Sequence, residues 1–384
     1  MQAFDLQRGL SGVSSNLSIV PLTIGRTNEL SPSARIVVDD YNHANRTALS
    51  EAREAVLSPS FRYPVDFSYG LDAQLPHLGK VKEMARILAF RAALAVEGGR
   101  SNEWPQDILL QLKLARTLDD EPTLISHLVR GSMLIIAARA AEWSLNRGST
   151  SKESCEELQT AFRSASRTNL LPMVLVGERA LSIPTFRMSW REMRNINTEE
   201  GDEPKPHQPQ RYSGKPAPAL WLSGFLERDL NFFLETMQRT TALAALPFPQ
   251  SLTLTNYLES ASKVAEHRFY FLSSMLLPSL SRVIVREASS RTLAELAATA
   301  IAVERFRYER GRLPASLAEL TPQYLDCVGT DPFDGAQLRY KLLPRGYAVY
   351  SVDADGRDDG GREPPERRKS TDPSSYDLTF VVER

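Results

Sequence analysis

Cysteine is almost absent from this chain of 384 residues, which contains only Cys155 and Cys327. Two cysteines cannot build the disulfide framework of a small secreted domain, and neither has a neighbouring ligand at the spacing of a zinc site. A single long-range disulfide is one alternative, and two free thiols are the favoured expectation. Cysteine content therefore leaves the redox compartment open.

An excess of charge of one sign is also missing, because 46 basic side chains face 47 acidic ones. This balance removes the usual electrostatic reason to expect a nucleic acid or an anionic membrane surface as partner. The start of the chain lacks the apolar segment of a signal peptide. Membrane association is therefore expected only through an anchor that is not present in this chain.

Long apolar runs without charge are lacking as well. The most apolar stretch, TLISHLVRGSMLIIAARAAEWSL, contains His127, Arg130, Arg139 and Glu142. Charges distributed in this way fit a buried helix better than a membrane span.

Motifs of known catalytic sites are not found. The chain has no GxSxG elbow, no P-loop and no GxGxxG after a strand. None of its histidines has metal-ligand spacing, and we interpret His77 and His127 as packing residues and His207 as solvated. The full set is His43, His77, His127, His207 and His267. These absences favour a function without catalysis, although acid and base residues that converge only in three dimensions stay an alternative.

Helical periodicity is what the chain does have, from about residue 48 to Gly311. Residues 89–129 resemble a degenerate tetratricopeptide-type hairpin, but no 34-residue period is found, so antiparallel helical hairpins are the safer prediction. The fold class is predicted as mainly α, with a helical-hairpin body followed by a small α+β domain. Long helices are predicted at Leu220–Leu246, Leu254–Leu276 and Pro278–Arg310.

Three regions are predicted along the chain. Residues 1–47 form a loosely ordered lead-in with a short strand at Ala34–Val38. Residues 48–287 form the helical body, and residues 288–384 form a long helix with a β-rich domain. Within the body, residues 197–219 contain five prolines and few apolar residues, which is typical of an exposed loop or linker.

The period changes after Gly311, which is expected to end the long helix. The segments LRYKLL, GYAVYSV and YDLTFVV are short, rich in β-formers and separated by turn residues. They predict an antiparallel meander.

An acidic loop follows the second of these strands. Four aspartates, Asp353, Asp355, Asp358 and Asp359, fall within seven positions and are followed by paired glycines. Calcium prefers six to eight oxygen ligands on a flexible loop, so this stretch predicts a calcium site. A solvated turn capped by its own aspartates is the alternative, with Arg357, Arg362 and residues 367–369 neutralising the charge locally.

The C-terminal quarter resembles the C-terminal domain of type II secretion major pseudopilins. The resemblance lies in TAIAVERFRYERGRLPASLAEL, TDPFDGAQLRYKL and GYAVYSVDADGRDDGG. It implies that the acidic loop binds calcium, with Asp355 on the family's Asp-Gly position. A second family ligand is expected before the last strand, at Asp377 or at its rival Asp372.

The helical body is similar to a group of bacterial envelope proteins without established activity, in which such a body precedes a pseudopilin-like tail. The segments FRYPVDFSYG, LPHLGKVKEMARILAFRAAL and LDDEPTLISHLVR carry this similarity. It implies a periplasmic or other extracytoplasmic location and a protein partner in the envelope. Because the chain lacks a prepilin-peptidase site and an apolar N-terminal half-helix, it is expected to be a trimmed ectodomain or a soluble variant.

Aromatic side chains cluster in sequence around the proline-rich loop. Trp190, Tyr212, Trp221 and Phe225 are candidates for a groove that binds a peptide or a glycan, with ordinary core residues as the favoured alternative.

Taken together, the resemblance and the missing catalytic motifs favour an envelope interaction scaffold with a calcium-stabilised C-terminal module, linked to secretion or surface assembly. The alternatives are an envelope hydrolase and a glycan- or peptide-binding protein.

Overall fold

The computed structural model of the protein describes residues 29–58, 61–187, 224–364 and 376–384. These residues form a mainly helical body and a small three-stranded sheet near the C-terminus, as predicted. The helices are α1 Pro32–Ala44, α2 Arg46–Ala55, α3 Pro76–Glu97, α4 Glu103–Arg116, α5 Leu124–Arg147, α6 Lys152–Arg167, α7 Leu171–Ser182, α8 Phe225–Ala244, α9 Thr253–His267, α10 Phe271–Ser281 and α11 Val283–Arg310. The strands are β1 Arg339–Leu343, β2 Gly346–Ser351 and β3 Leu378–Glu383, and short 3₁₀ turns lie at Phe67–Asp72, Ile183–Arg187, Gln250–Leu252, Leu317–Leu320 and Asp353–Asp355.

Helix α11 is the central element of the fold. Its buried residues surround the helix and include a long series of alanines, which is typical of a helix enclosed on every side. It packs against α5 and α6 on one side and against β2 and β3 on another. The helix ends at Gly311, as predicted, and the φ of 67° at this residue forms a left-handed cap.

Two hydrophobic clusters form the interior. The larger one joins α1 to α6, most of α11, and residues of the sheet such as Tyr347, Val349 and Phe380. The smaller one is formed by α7 to α10 and the start of α11. The predicted domain boundary at residue 288 therefore falls inside α11, and as a division into domains it stays a prediction.

The sheet has the strand order β1-β2-β3 and is antiparallel throughout. Residues 344 and 345 connect β1 to β2, with Leu343 opposite Gly346. Every residue of β2 after Gly346 is buried, because this central strand lies between its neighbours and packs on α11. The three predicted strands are confirmed.

Some predicted boundaries are wrong. The strand expected at Ala34–Val38 is part of helix α1, in which Val38 and Tyr41 are buried three residues apart, the spacing of a helix face. The predicted helix Leu254–Leu276 is two helices, α9 and α10. Pro278 lies inside α10, and the last long helix begins at Val283.

By length and composition, helix α5 could cross a membrane. In the protein, 56% of its most apolar 18-residue stretch is buried. It packs against α3, α4 and α11. This is the interior position predicted from its embedded charges.

Candidate functional site

The acidic loop begins directly after β2 and is shaped by local turns. Asp353 has a φ of 55°, and Asp353–Asp355 form one 3₁₀ turn that ends at Gly356. Asp355 accepts a hydrogen bond from the Arg357 amide at 3.0 Å, and Asp358 accepts one from the Gly360 amide at 2.9 Å. These are the self-capping contacts of an aspartate-rich turn.

Arg339 on β1 is the cation that the structure places among the aspartates. Its guanidinium contacts Asp331 at 2.9 Å and Asp358 at 3.0 Å, and it also pairs with Asp334. Two positions along the same strand, Lys341 donates to the Gly360 carbonyl at 2.9 Å. Residues two apart on a strand share a face, so β1 presents both cations to the loop.

Asp331 is a site residue that sequence reasoning missed. Its carboxylate is fully buried and accepts hydrogen bonds from the Ser351 hydroxyl at 2.9 Å and from the amides of Val352 and Phe333, each at 3.0 Å. It therefore ties the turn before β1 to the end of β2. The sequence did carry a signal for this residue, because Asp331 begins an Asp-Pro turn and an arginine, Arg339, follows on the first strand.

Asp377 joins the acidic loop to the last strand. It is buried, and it accepts hydrogen bonds from the Gly361 amide at 2.7 Å and from the Asp359 amide at 3.4 Å. Asp377 therefore lies beside the loop, and its role as a calcium ligand stays a prediction. Its rival Asp372 lies outside the described residues.

Burial and the nearby arginine shift the acidity of these carboxyls in opposite directions. Burial raises the pKa of Asp353 and that of Asp377. Burial also acts to raise the pKa of Asp334, but the hydrogen bond and charge of Arg339 hold it below its ordinary value. Asp334 is therefore ionised at neutral pH and paired with an internal cation.

The predicted calcium ligands do not by themselves form a metal cluster, because the described part of the chain has no group of three or more acidic, histidine or cysteine side chains arranged to hold a metal ion. Asp353, Asp355, Asp358 and Asp359 belong to one loop, but Asp358 is paired with Arg339. The carboxylate and carbonyl oxygens present are of the type that calcium prefers. Calcium binding stays a prediction, and the internal arginine is the neutralising group seen here.

The free edge of β3 is covered by side chains from helix α5. Glu142 accepts from the Val381 amide at 2.7 Å, and Arg139 donates to the Thr379 carbonyl at 2.8 Å. Asn146 forms two such bonds, with the Val381 carbonyl at 2.7 Å and the Glu383 amide at 2.6 Å. Three helical side chains thus satisfy the backbone groups that another strand would otherwise bind.

The same sheet is fixed to α11 through a buried carboxylate, Glu304. The Tyr347 hydroxyl donates to it at 3.0 Å, Arg307 pairs with it at 2.7 Å, and Arg384 also contacts it. Burial and the neighbouring Glu304 raise the pKa of Tyr347 well above its ordinary value, so the phenol stays protonated and donates. The sheet is consequently held to the helical body by polar contacts as well as by the shared core.

Of the predicted aromatic groove, only Phe225 is described. Its ring lies 6.2 Å from that of Tyr270, and it starts helix α8. Trp190, Tyr212 and Trp221 lie outside the described residues. The groove therefore stays a prediction.

Two of the histidines are partners of buried carboxylates. His77 contacts Glu121 at 2.7 Å and stacks on Tyr63, and His127 contacts Glu287 at 2.9 Å. Burial acts to raise the pKa of Glu287, but the facing His127 lowers it below its usual value. Both positions agree with the predicted packing roles.

A polar surface depression lies between α6, the end of α11 and the segment after the fourth 3₁₀ turn, with a volume of about 570 Å³. Arg163 and Arg167 both pair with Asp326 there, at 2.6 and 2.8 Å, and Arg305 pairs with Glu156. Cys327 next to Asp326 is an exposed free thiol, whereas Cys155 is buried and free. The depression carries charges of both signs and is one place for a polar ligand.

Comparison with known proteins gives no relative: no family model, no curated protein and no solved structure matches this chain.

Proposed function

We propose that this protein is an interaction scaffold of the cell envelope, in which a pseudopilin-like C-terminal module is fixed to a helical body. The observation that supports this most is the covered edge of β3, where Arg139, Glu142 and Asn146 of the body bind the backbone of the module. The two parts also share one hydrophobic core. A module held in this way presents its acidic loop and β1 to a partner in a fixed orientation.

Calcium is proposed as the ion that completes the acidic loop. Asp353 and Asp377 are carboxyls whose pKa is raised by burial, and a cation beside them offsets the cost of burying their charge. Paired glycines with φ of 73° and 77°, Gly360 and Gly361, let backbone carbonyls turn toward an ion. The ion would pin the start of β3 to the loop through Asp377.

The second candidate is a ligand-binding protein that uses the polar depression. The Asp326 carboxylate lies between two guanidinium groups, those of Arg163 and Arg167, which is the arrangement in which arginines hold a carboxylate or a phosphate. A ligand with such a group would compete with Asp326. Asp326→Ala would then raise affinity for inorganic phosphate, whereas Arg167→Gln would lower it.

The experiment that tests the scaffold proposal is capture of partners from a native envelope extract, with cross-linking and mass spectrometry to locate the contact. We expect cross-links to map to the acidic loop or β1, and to be lost with chelator and with the double variant Asp353→Asn, Asp355→Asn. Arg357→Ala is the matched control in the same loop. Cross-links confined to the polar depression would favour the second candidate, and turnover of an envelope polymer would refute a scaffold role.

A further inference from the structure

Exposed apolar side chains cluster in sequence at the turn between α9 and α10. They are Val264, Phe269, Phe271 and Met275, which we call the aromatic tip. Phe269 is 79% exposed and Phe271 48% exposed, while the next side chain, Leu272, is completely buried. All four lie within about two helical turns of the connection, since the rise is about 1.5 Å per residue.

Phe269 occupies a backbone conformation that favours glycine. Its φ is 57°, and the amides of Phe269 and Tyr270 close the end of α9 on the carbonyls of Glu266 and Ala265 at 3.1 and 2.8 Å. This is the hydrogen-bond pattern of a helix ending in which glycine is the common left-handed residue. The chain instead carries a large apolar side chain here and exposes it.

The tip is held rigidly from behind by helix α8. The buried carboxylate of Asp229 accepts hydrogen bonds from the Leu272 amide at 2.9 Å and from the Ser273 amide at 3.1 Å, which caps α10. The Tyr270 ring packs on Phe232 with the centroids 5.3 Å apart. Tyr270 therefore points into the protein while the phenylalanines on both sides of it are presented to the outside.

Basic groups flank the tip although the chain as a whole is almost neutral. The last turn of α9 and the residue after it contain Lys263, His267 and Arg268, all exposed, against one carboxylate in the same stretch, Glu266. Aromatic side chains beside lysine and arginine are the combination found where proteins meet the headgroup region of a membrane. Local charge thus complements an anionic lipid surface.

The exposed area of the aromatic tip indicates whether a lipid surface or a second protein copy covers it. With about 150–250 Å² per aromatic side chain, the fractional exposures correspond to an area on the order of 300–400 Å². This is about half of the ~800 Å² that each partner contributes to a standard protein interface. An exposed apolar area of this size suits shallow insertion into a lipid surface better than pairing with a second copy.

We propose that the aromatic tip docks on a phospholipid bilayer, with Phe269 and Phe271 inserted at the headgroup boundary and Lys263 and Arg268 on anionic headgroups. This function is independent of the scaffold role, and it needs no anchor in the chain itself.

The test is sedimentation of the full chain with vesicles of phosphatidylcholine, with and without 30% phosphatidylglycerol. We expect binding that increases with the anionic lipid and weakens with salt. The double variant Phe269→Ser, Phe271→Ser should lower the partition coefficient at least ten-fold. Lys263→Gln with Arg268→Gln should remove the dependence on the anionic lipid.

Leu57→Ser and Leu342→Ser are matched controls, since these leucines are 73% and 52% exposed elsewhere on the surface and should leave binding unchanged. Circular dichroism checks that each variant is folded. Phe269→Trp gives an independent readout, because its fluorescence should be quenched by brominated lipid beyond the wild-type level.

Absence of wild-type binding to either vesicle, or equal loss in the control variants, would overturn the proposal. Self-association in analytical ultracentrifugation that disappears in the Phe269→Ser, Phe271→Ser variant would assign the tip to a second copy instead.

Discussion

Arg339→Ala tests whether an internal cation organises the acidic loop. The substitution leaves Asp331, which is fully buried, with neutral donors only. Removing one partner of a buried ion pair costs about 3–5 kcal/mol. The remaining hydrogen bonds on Asp331 place the expected loss at the lower end, about 3 kcal/mol. The pairs with Asp334 and Asp358 add less, since these carboxylates are 28% and 49% exposed and solvent screens them.

Urea unfolding followed by circular dichroism measures this loss. With a denaturant slope of about 3 kcal/mol per molar, the midpoint should fall by about 1 M. Arg357→Ala is the matched control, because its side chain is exposed and its change should stay within about 0.5 kcal/mol. If the loop ligates calcium, millimolar calcium should restore part of the stability of Arg339→Ala relative to chelator. Equal midpoints for the two arginine variants would refute the assignment of Arg339 as the organising cation.

Three further outcomes are expected. Asn146→Leu removes two bonds to β3 and should destabilise by about 2 kcal/mol, with faster hydrogen exchange in β3 than in β1; uniform exchange would contradict the role of α5. Because the folded-state pKa of Glu287 is lowered by His127, this pair stabilises the fold above the unfolded glutamate pKa of about 4.3, and the contribution is lost as pH falls through the lower folded value. The difference in free energy of unfolding between wild type and Glu287→Gln at pH 6 should therefore shrink below pH 4, and a constant difference would be inconsistent with it. Burial raises the pKa of Cys155 to about 12, so a thiol reagent at pH 8 should label one cysteine, Cys327, in the native protein and two in denaturant.

The C-terminal elements were predictable because their signals are local. Gly311 ends a helix where a left-handed residue is needed, and the three strands are short segments rich in β-formers that lie between turn residues. The resemblance left Asp377 and Asp372 as alternatives beside the acidic loop; Asp377 does bind the loop, and its role as a calcium ligand stays a prediction. Turn chemistry and strand period act over a few residues, so a sequence shows them directly.

The missed features depend on contacts between distant residues or on an unusual local choice. Arg339 meets Asp358 only after β1 and β2 have paired, and Glu142 and Asn146 reach β3 across more than 200 positions of sequence. The break between α9 and α10 was missed because Phe269 stands where a glycine would have marked it. The wrong strand at residues 34–38 followed β propensity, which packing of one helix face overrides.

The covered edge of β3 makes assembly of the sheet directional. With one side occupied by helix α5, any extended segment that lengthens the sheet within the described residues has to be added beside β1, next to Arg339 and Lys341. Growth in both directions, which would join copies into an open-ended stack, is blocked at one end by the protein's own helix. A second chain bound at β1 would meet the cations that neutralise the acidic loop, so lengthening the sheet and altering the charge of that loop would occur together.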